Sequence, residues 1–179
     1  MALYEFRHSL TSEGQLRMTH PLKIAPPRYD ELRERILQKL GPNRCPLLIG
    51  IDGQNGAAKT SLSNWLAWQL GMPALHLDLF MCFNEECGTF SGWRVEYLSC
   101  AIMQRLGCGM PIIVEGCKLL DALQAVSQTV DFHVYVRRPA TTNMNKSAMV
   151  SEYVRRKCSV LRHPDFTLLG YVDSNGYQS

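Results

Sequence analysis

The spacing of hydrophobic residues predicts an amphipathic helix near the start of this chain. In the segment PPRYDELRERILQKLG, residues 26–41, apolar side chains recur every three or four positions, at Tyr29, Leu32, Ile36, Leu37 and Leu40. This recurrence puts them on one face of a helix, and the prolines before the segment and the glycine after it are typical of helix boundaries. The charged residues between them would then form a solvated face.

A different pattern follows, in which a short apolar run leads into a glycine-rich stretch and then into a second helical pattern. The run LLIGID, residues 47–52, has the length of a strand, and GQNGAAKT comes next. The segment TSLSNWLAWQLG, residues 60–71, has apolar residues at helical spacing and stops at a glycine. The prediction is a strand, a glycine-rich turn and a helix.

The rest of the chain repeats this alternation of strands and helices. Helices are predicted for about 94–106 and for LLDALQAVSQ, and strands for ALHLD (74–78), PIIVEG (111–116), FHVYV (132–136) and TLLGYV (167–172). Apolar strands that alternate with helices are typical of an α/β fold. In such a fold a parallel sheet is covered on both faces and its strands are joined by right-handed crossovers.

Composition narrows the class of protein. A chain of 179 residues with 46% hydrophobic residues can bury one ordinary core, so we expect a single domain over 1–179 with 1–25 as an N-terminal extension. A net charge of +3 does not favour a nucleic-acid partner. The seven cysteines are scattered without a C-x-x-C pair, which favours a reducing, cytoplasmic location without structural zinc. No apolar run is long enough for a membrane span, so no membrane partner is expected.

The candidate chemistry lies where predicted strands end. Ligands of open parallel sheets bind beyond the carboxyl ends of the strands, and here those ends carry the glycine loop (residues 53–58), Asp78 and Glu115. Lys59 would reach the β and γ phosphates of a nucleotide, and the Thr60 hydroxyl would ligate Mg²⁺. A glycine-rich turn beside a surface lysine is the alternative. The predicted nucleotide-binding residues are Gly53, Gln54, Asn55, Gly56, Ala57, Ala58, Lys59, Thr60 and Ser61.

Ala58 departs from the usual phosphate-binding pattern, which has a glycine before the lysine. Its place beside Lys59 predicts a helical φ, for which alanine carries no left-handed penalty. Ala58→Gly would then cost a little thermal stability. We therefore expect a working but adapted loop.

Two longer stretches carry a family resemblance. The run IGIDGQNGAAKTSLSNWLAWQLGMPALHLDLF resembles the opening of the uridine kinase-like group of P-loop small-molecule kinases, which includes nucleoside, phosphoribulose and pantothenate kinases. The run GTFSGWRVEYLSCAIMQRLGCGMPIIVEGCKLL is similar to the substrate-binding segment and third strand of that group. The resemblance spans about residues 47–137. It implies a three-layer P-loop kinase fold with a five-stranded parallel sheet, helices on both faces and a helical, arginine-bearing lid at about 138–163.

The resemblance also implies an activity. ATP with Mg²⁺ would donate its γ-phosphoryl group to a hydroxyl of a nucleoside, vitamin or sugar-like small molecule. The acid that matches Asp78 accepts the hydroxyl proton, and the acid that matches Glu115 supports Mg²⁺ through water. Lys59 and the lid residues Arg155 and Arg156 would neutralise the transferring group. The predicted acceptor-binding residues are Asp78, Phe80, Phe83, Trp93, Arg94 and Glu115.

Several alternatives stay open at this stage. Gly92 stands where the group often has an acid, which indicates an unusual acceptor, and the aromatic residues could instead belong to the core. Arg155 and Arg156 could lie on a solvated helix face. His76 is interpreted as a buried, hydrogen-bonded histidine without a role. A non-catalytic nucleotide- or phosphate-binding module is the second hypothesis and a nucleic-acid kinase or NTPase the third, while a homodimer is left open.

Overall fold

The computed structural model describes residues 28–86, 88–137 and 164–169. Within these ranges the helices are α1 (Tyr29–Leu40), α2 (Lys59–Leu70), α3 (Val95–Gly107) and α4 (Leu119–Ala125), with a short 3-10 turn at Leu77–Phe80. The strands are β1 (Leu48–Gly53), β2 (Ala74–His76), β3 (Met81–Phe83), β4 (Phe90–Trp93), β5 (Ile112–Glu115), β6 (Phe132–Arg137) and β7 (Phe166–Leu169). The predicted alternation of strands and helices is therefore present.

Five strands form one parallel sheet in the order β2-β5-β1-β6-β7, with β1 at its centre. The register pairs His76 with Glu115 and Glu115 with Ile51. Three neighbouring strands therefore end side by side, and the segments that follow them begin at the same edge. The candidate functional residues were predicted from the sequence to lie at this edge.

The sheet is the middle of three layers. Alternate strand residues face opposite sides, so Ile49, Ile51 and Ile113 pack with α1 and α2 on one side. Leu48 and Val114 pack with α3 and α4 on the other side. The central strand is buried throughout, as expected for a parallel strand covered on both faces. The predicted α/β fold with helices on both faces is confirmed.

A short antiparallel hairpin was not predicted from the sequence. Strands β3 and β4 pair with each other and form a separate two-stranded sheet. The turn between them is closed by the N–H of Asn84, which donates to the carbonyl of Thr89 at 2.8 Å. Strands of three or four residues give too short an alternation to be recognised by periodicity.

Some predictions fall outside the described residues. These are the N-terminal extension at 1–25, the lid at about 138–163 with Arg155 and Arg156, and the end of the last predicted strand beyond residue 169. The single-domain assignment stays a prediction. Among the helices of the described ranges, none combines the length and apolarity that crossing a bilayer requires.

Candidate functional site

The glycine loop joins the central strand to α2. Gly53 ends β1 with φ 151°, and a Cβ atom there would overlap the carbonyl oxygen of Val136 on the neighbouring strand. Only glycine therefore allows the chain to leave the sheet at this point. Helix α2 begins directly after the loop, so its first N–H groups have no partner within the helix and its dipole favours an anion. No acidic side chain lies in the first turn of α2 to occupy that position.

Lys59, the first residue of α2, lies under the glycine loop. The residue is only 7% exposed. The ammonium group donates to the carbonyl oxygen of Gln54 at 3.0 Å and to Cys117 Sγ at 3.2 Å. A lysine has three N–H donors, and among the described residues the structure gives the third no partner. The alternative of a surface lysine beside a glycine-rich turn does not fit this burial.

The prediction of a helical φ at Ala58 is wrong. Ala58 precedes the first helical residue and has φ 62° and ψ 31°, in the left-handed region. It is the last residue of the turn, and the helix begins at the next residue, Lys59. A glycine is expected at this position because it adopts such a conformation without a steric penalty. Alanine therefore introduces strain here rather than relieving it.

This geometry reverses the expected effect of Ala58→Gly. The left-handed conformation costs a non-glycine residue roughly 1–2 kcal/mol, and the larger unfolded-state entropy of glycine offsets roughly 0.4–1 kcal/mol of that gain. We expect the variant to melt about 1–4 °C higher than the wild type. Ala67→Gly, inside α2, is the matched control and should lose about 1 kcal/mol. A lower melting temperature for Ala58→Gly would mean that Ala58 has a helical φ in solution.

Glu115 is the centre of a hydrogen-bonded group at the ends of β2 and β5. Its carboxylate is buried, with 3% of the residue exposed. The Thr60 hydroxyl donates to Glu115 Oε1 at 3.1 Å, and His76 Nδ1 lies 2.7 Å from the same oxygen. A carboxylate oxygen accepts hydrogen bonds, and the His76 tautomer with its proton on Nδ1 donates to this oxygen. The group brings together the two residues that the sequence proposed as metal-supporting.

The environment of His76 differs from the one that was inferred from the sequence. The side chain is 29% exposed, not buried, and it contacts a residue of the candidate site. The cause is the sheet register, which makes His76 the direct neighbour of Glu115. Paired residues on adjacent strands point to the same face, and only the strand order shows which residues are paired. Periodicity within one strand could not have found this contact.

The side-chain oxygen atoms of Thr60 and Glu115 at this edge are suitable ligands for a magnesium ion. Mg²⁺ takes oxygen ligands and is often held by one or two protein groups together with water and substrate phosphates. The Thr60 hydroxyl and the Glu115 carboxylate supply such oxygens 3.1 Å apart, next to the N-terminus of α2. Within the described ranges no group of three or more His, Cys, Asp or Glu side chains is arranged to hold a metal by itself. A magnesium ion here would need phosphate oxygens and water as further ligands.

Cys117 is a site residue that sequence analysis missed. It follows Gly116 in the connection between β5 and α4, and its sulfur contacts the Lys59 ammonium, the Gly53 carbonyl and the Asn55 side chain. Burial raises the pKa of the thiol above its usual value, while the charge of Lys59 partly opposes this shift. The thiol is therefore protonated at neutral pH. The sequence contains no signal for this role, because a cysteine after a strand matches no motif.

Asp78 lies outside the sheet, contrary to its prediction as a strand end. Strand β2 ends at His76, and Asp78 is an exposed residue of the 3-10 turn that follows. Its negative charge contributes to the raised pKa of the Cys117 thiol, so its carboxylate is within electrostatic reach of the thiol that contacts Lys59. Asp78 therefore lies two residues past the end of β2, in the turn that follows this strand.

Apart from Glu115 at the end of β5, the predicted acceptor-binding residues lie on the β3–β4 hairpin and in the turns beside it. Phe80 and Trp93 are half-buried against the core on the α3 side, and Phe83 is 53% exposed. Arg94 is exposed, and its backbone N–H donates to the Phe80 carbonyl at 2.7 Å. Phe80 and Trp93 are therefore partly core residues, as one alternative held.

Phe90 links this hairpin to the β5–α4 connection. Its ring packs edge-on against Trp93, with 5.0 Å between ring centroids, and lies 6.5 Å from the ring of Phe83. The Lys118 ammonium lies 4.8 Å from the Phe90 centroid, within the range of a cation–π contact. Because Lys118 directly follows Cys117, one short connection contacts both the glycine loop and the hairpin.

Comparisons with known proteins identify a solved structure with a similar fold. No protein-family model matches the chain, and no curated protein matches its sequence. Among solved structures, a possible uridine kinase from Bacillus stearothermophilus superposes with a TM-score of 0.54 and 20% sequence identity. The match covers 79% of this chain and 97% of that chain. At this identity the likeness concerns the fold, which is an α/β fold of the P-loop kinase-like type.

Proposed function

We propose that this protein is an ATP-dependent kinase that transfers a phosphoryl group to a hydroxyl of a small molecule. The observation that carries the proposal is the arrangement of Lys59, Thr60 and Glu115 at one end of α2. The lysine is buried under the glycine loop, and the hydroxyl and carboxylate lie within 3.1 Å of each other. A buried cation, a helix N-terminus and a pair of magnesium-type oxygens are the parts that phosphoryl transfer from a nucleotide requires.

The residues would act mainly by position and charge. The phosphates would lie against the N-terminus of α2, with the remaining N–H of Lys59 donating to a phosphate oxygen. Mg²⁺, supported by Thr60 and Glu115, would neutralise charge on the phosphates. The acceptor hydroxyl attacks the γ-phosphorus, the bond from that phosphorus to the bridging oxygen of ADP breaks, and Asp78 takes the hydroxyl proton. Fixed charges placed around the transferring group would account for most of the rate enhancement.

The acceptor is proposed to bind between Asp78 and the β3–β4 hairpin. Phe83 and Phe90 offer apolar ring surface there, and Lys118 adds a positive charge next to it. Binding sites for small molecules combine apolar walls with a few polar groups that fix orientation. The ring of a nucleoside or vitamin fits such surroundings better than an open-chain sugar alone.

A non-catalytic nucleotide-binding module is the second candidate. The observation that favours it is Ala58, whose left-handed conformation would be unstrained with glycine. Retention of Asp78, which a module that only binds phosphate does not need, favours the enzyme. The two candidates share nucleotide binding and differ in whether phosphate leaves the nucleotide.

Two experiments, made one after the other, test both candidates. Thermal melting of the full chain with Mg·ADP at about a hundred times its dissociation constant should add about 2.7 kcal/mol, which corresponds to roughly 5–10 °C. A screen of nucleosides, vitamins and sugars for acceptor-dependent ADP release from Mg·ATP then follows. Stabilisation without turnover by any acceptor would support the binding module, and an unchanged melting temperature with every nucleotide would contradict both candidates.

A further inference from the structure

We propose that Cys117 is a positioning residue of the glycine loop, which holds Lys59 and Asn55 in the arrangement that receives a phosphate. This inference rests on the proposed nucleotide site. It assigns a role to a side chain that lies outside the glycine loop in sequence, 58 residues beyond Lys59. The thiol itself would not take part in the transfer.

The contacts of the sulfur span the whole loop. Cys117 Sγ lies 3.2 Å from Lys59 Nζ and 3.5 Å from the Gly53 carbonyl oxygen, and it also contacts Asn55 Oδ1. Gly53 and Asn55 belong to the glycine loop, and Lys59 is the first residue of the helix that follows it. One side chain therefore contacts the end of β1, the loop itself and the start of α2.

The chemistry of a thiol suits this role. A thiol has one proton to donate, which the Gly53 carbonyl or the Asn55 side-chain oxygen can accept, and its sulfur is a weak acceptor for the Lys59 ammonium. Because these interactions are weak, the ammonium is held in place without being neutralised. A carboxylate at this position would pair with Lys59 and compete with a phosphate, whereas an aliphatic side chain would leave the ammonium with one contact fewer.

The backbone around Cys117 is itself fixed. The N–H of Gly116 donates to the Ile51 carbonyl oxygen at 3.1 Å, which continues the sheet pairing into the connection. A Cβ atom on Gly116 would lie 2.6 Å from Leu77 Cβ, so the chain packs closely against the turn after β2. Lys118 then enters α4 with a left-handed φ of 58°. This backbone therefore holds the sulfur atom of Cys117 in place beside the glycine loop.

Two substitutions separate positioning from folding. Cys117→Ala removes the sulfur contacts and should weaken binding of Mg·ADP about three- to tenfold, as expected for the loss of one hydrogen bond. Cys117→Ser keeps a donor and an acceptor at the site and should restore affinity close to that of the wild type. Cys108→Ala, at an exposed cysteine before β5, is the matched control and should bind as the wild type does.

Alkylation of the wild-type protein with N-ethylmaleimide provides a second measurement that needs no variant. Mass spectrometry would follow each cysteine, and saturating Mg·ADP should slow modification of Cys117 at least about tenfold, because bound phosphates cover it. The exposed cysteines Cys45, Cys100 and Cys108 should react at the same rate with and without nucleotide.

The outcomes distinguish this inference from the proposed function. Equal Mg·ADP affinity of the wild type and Cys117→Ala, or alkylation of Cys117 that bound nucleotide does not slow, overturns the positioning role and leaves the kinase proposal standing. A wild type that binds neither Mg·ADP nor Mg·ATP overturns both. If Cys117→Ala does not fold, Cys117→Ser and the alkylation rates decide.

Discussion

Lys59→Ala should remove phosphoryl transfer and weaken nucleotide binding strongly. Lys59 is a buried cation at the start of α2, and its ammonium contacts the Gln54 carbonyl in the glycine loop and the Cys117 sulfur in the β5–α4 connection. Loss of one preorganised donor to a developing negative charge lowers turnover by about 10²–10³-fold. Lys59 would contact the phosphates in both the ground state and the transition state, so the affinity for Mg·ATP should fall as well.

Measurement of Lys59→Ala requires a folded variant and a matched lysine. Calorimetric titration with Mg·ADP would give the affinity, and ADP release with the acceptor identified by the screen would give kcat and KM. Lys39→Ala removes an exposed lysine in the last turn of α1 and should leave all three values unchanged. Nucleotide affinity of Lys59→Ala equal to that of the wild type would show that the phosphates bind elsewhere.

Asp78→Asn should separate binding from chemistry. The asparagine side chain keeps the size of the carboxylate but cannot take up the proton of the acceptor hydroxyl. Loss of a positioned general base lowers the rate about 10²–10⁴-fold. Because Asp78 lies in the 3-10 turn after β2 and not in the glycine loop, affinity for Mg·ADP should stay close to that of the wild type.

The melting temperature should also change little in this variant, since Asp78 is exposed. Asp30→Asn, in the first turn of α1, serves as the control for loss of one surface carboxylate. Intact turnover in Asp78→Asn would make this acid structural and would point to another group, or to water, as the proton acceptor. Loss of ADP affinity would instead place Asp78 in the nucleotide site.

Unequal effects in the two variants would identify the protein as a catalyst. A binding module should lose nucleotide affinity in Lys59→Ala and keep it in Asp78→Asn. A kinase loses affinity and turnover in the first variant and turnover alone in the second. This contrast does not depend on the lid at about 138–163, whose arginines lie outside the described residues.

The order of elements and the edge that carries the candidate site could be predicted from the sequence. Apolar runs of strand length before GQNGAAKT and before Glu115 are buried on both faces of a parallel sheet, and their composition is the direct result of that burial. The helices α1 and α2 were predicted within a few residues because their apolar positions recur at helical spacing. Local sequence patterns were sufficient to predict these elements, because each pattern follows directly from which faces of the element are buried.

Tertiary structure decided the contacts within the site. His76 meets Glu115 because β2 lies beside β5, and Cys117 meets Lys59 because the β5–α4 connection crosses the glycine loop. Both contacts join residues at least 39 positions apart. Ala58 takes a left-handed conformation because the turn from β1 must bring Lys59 back under the loop. Periodicity describes which face of an element is buried, but strand order and loop closure determine which polar groups meet at the sheet edge.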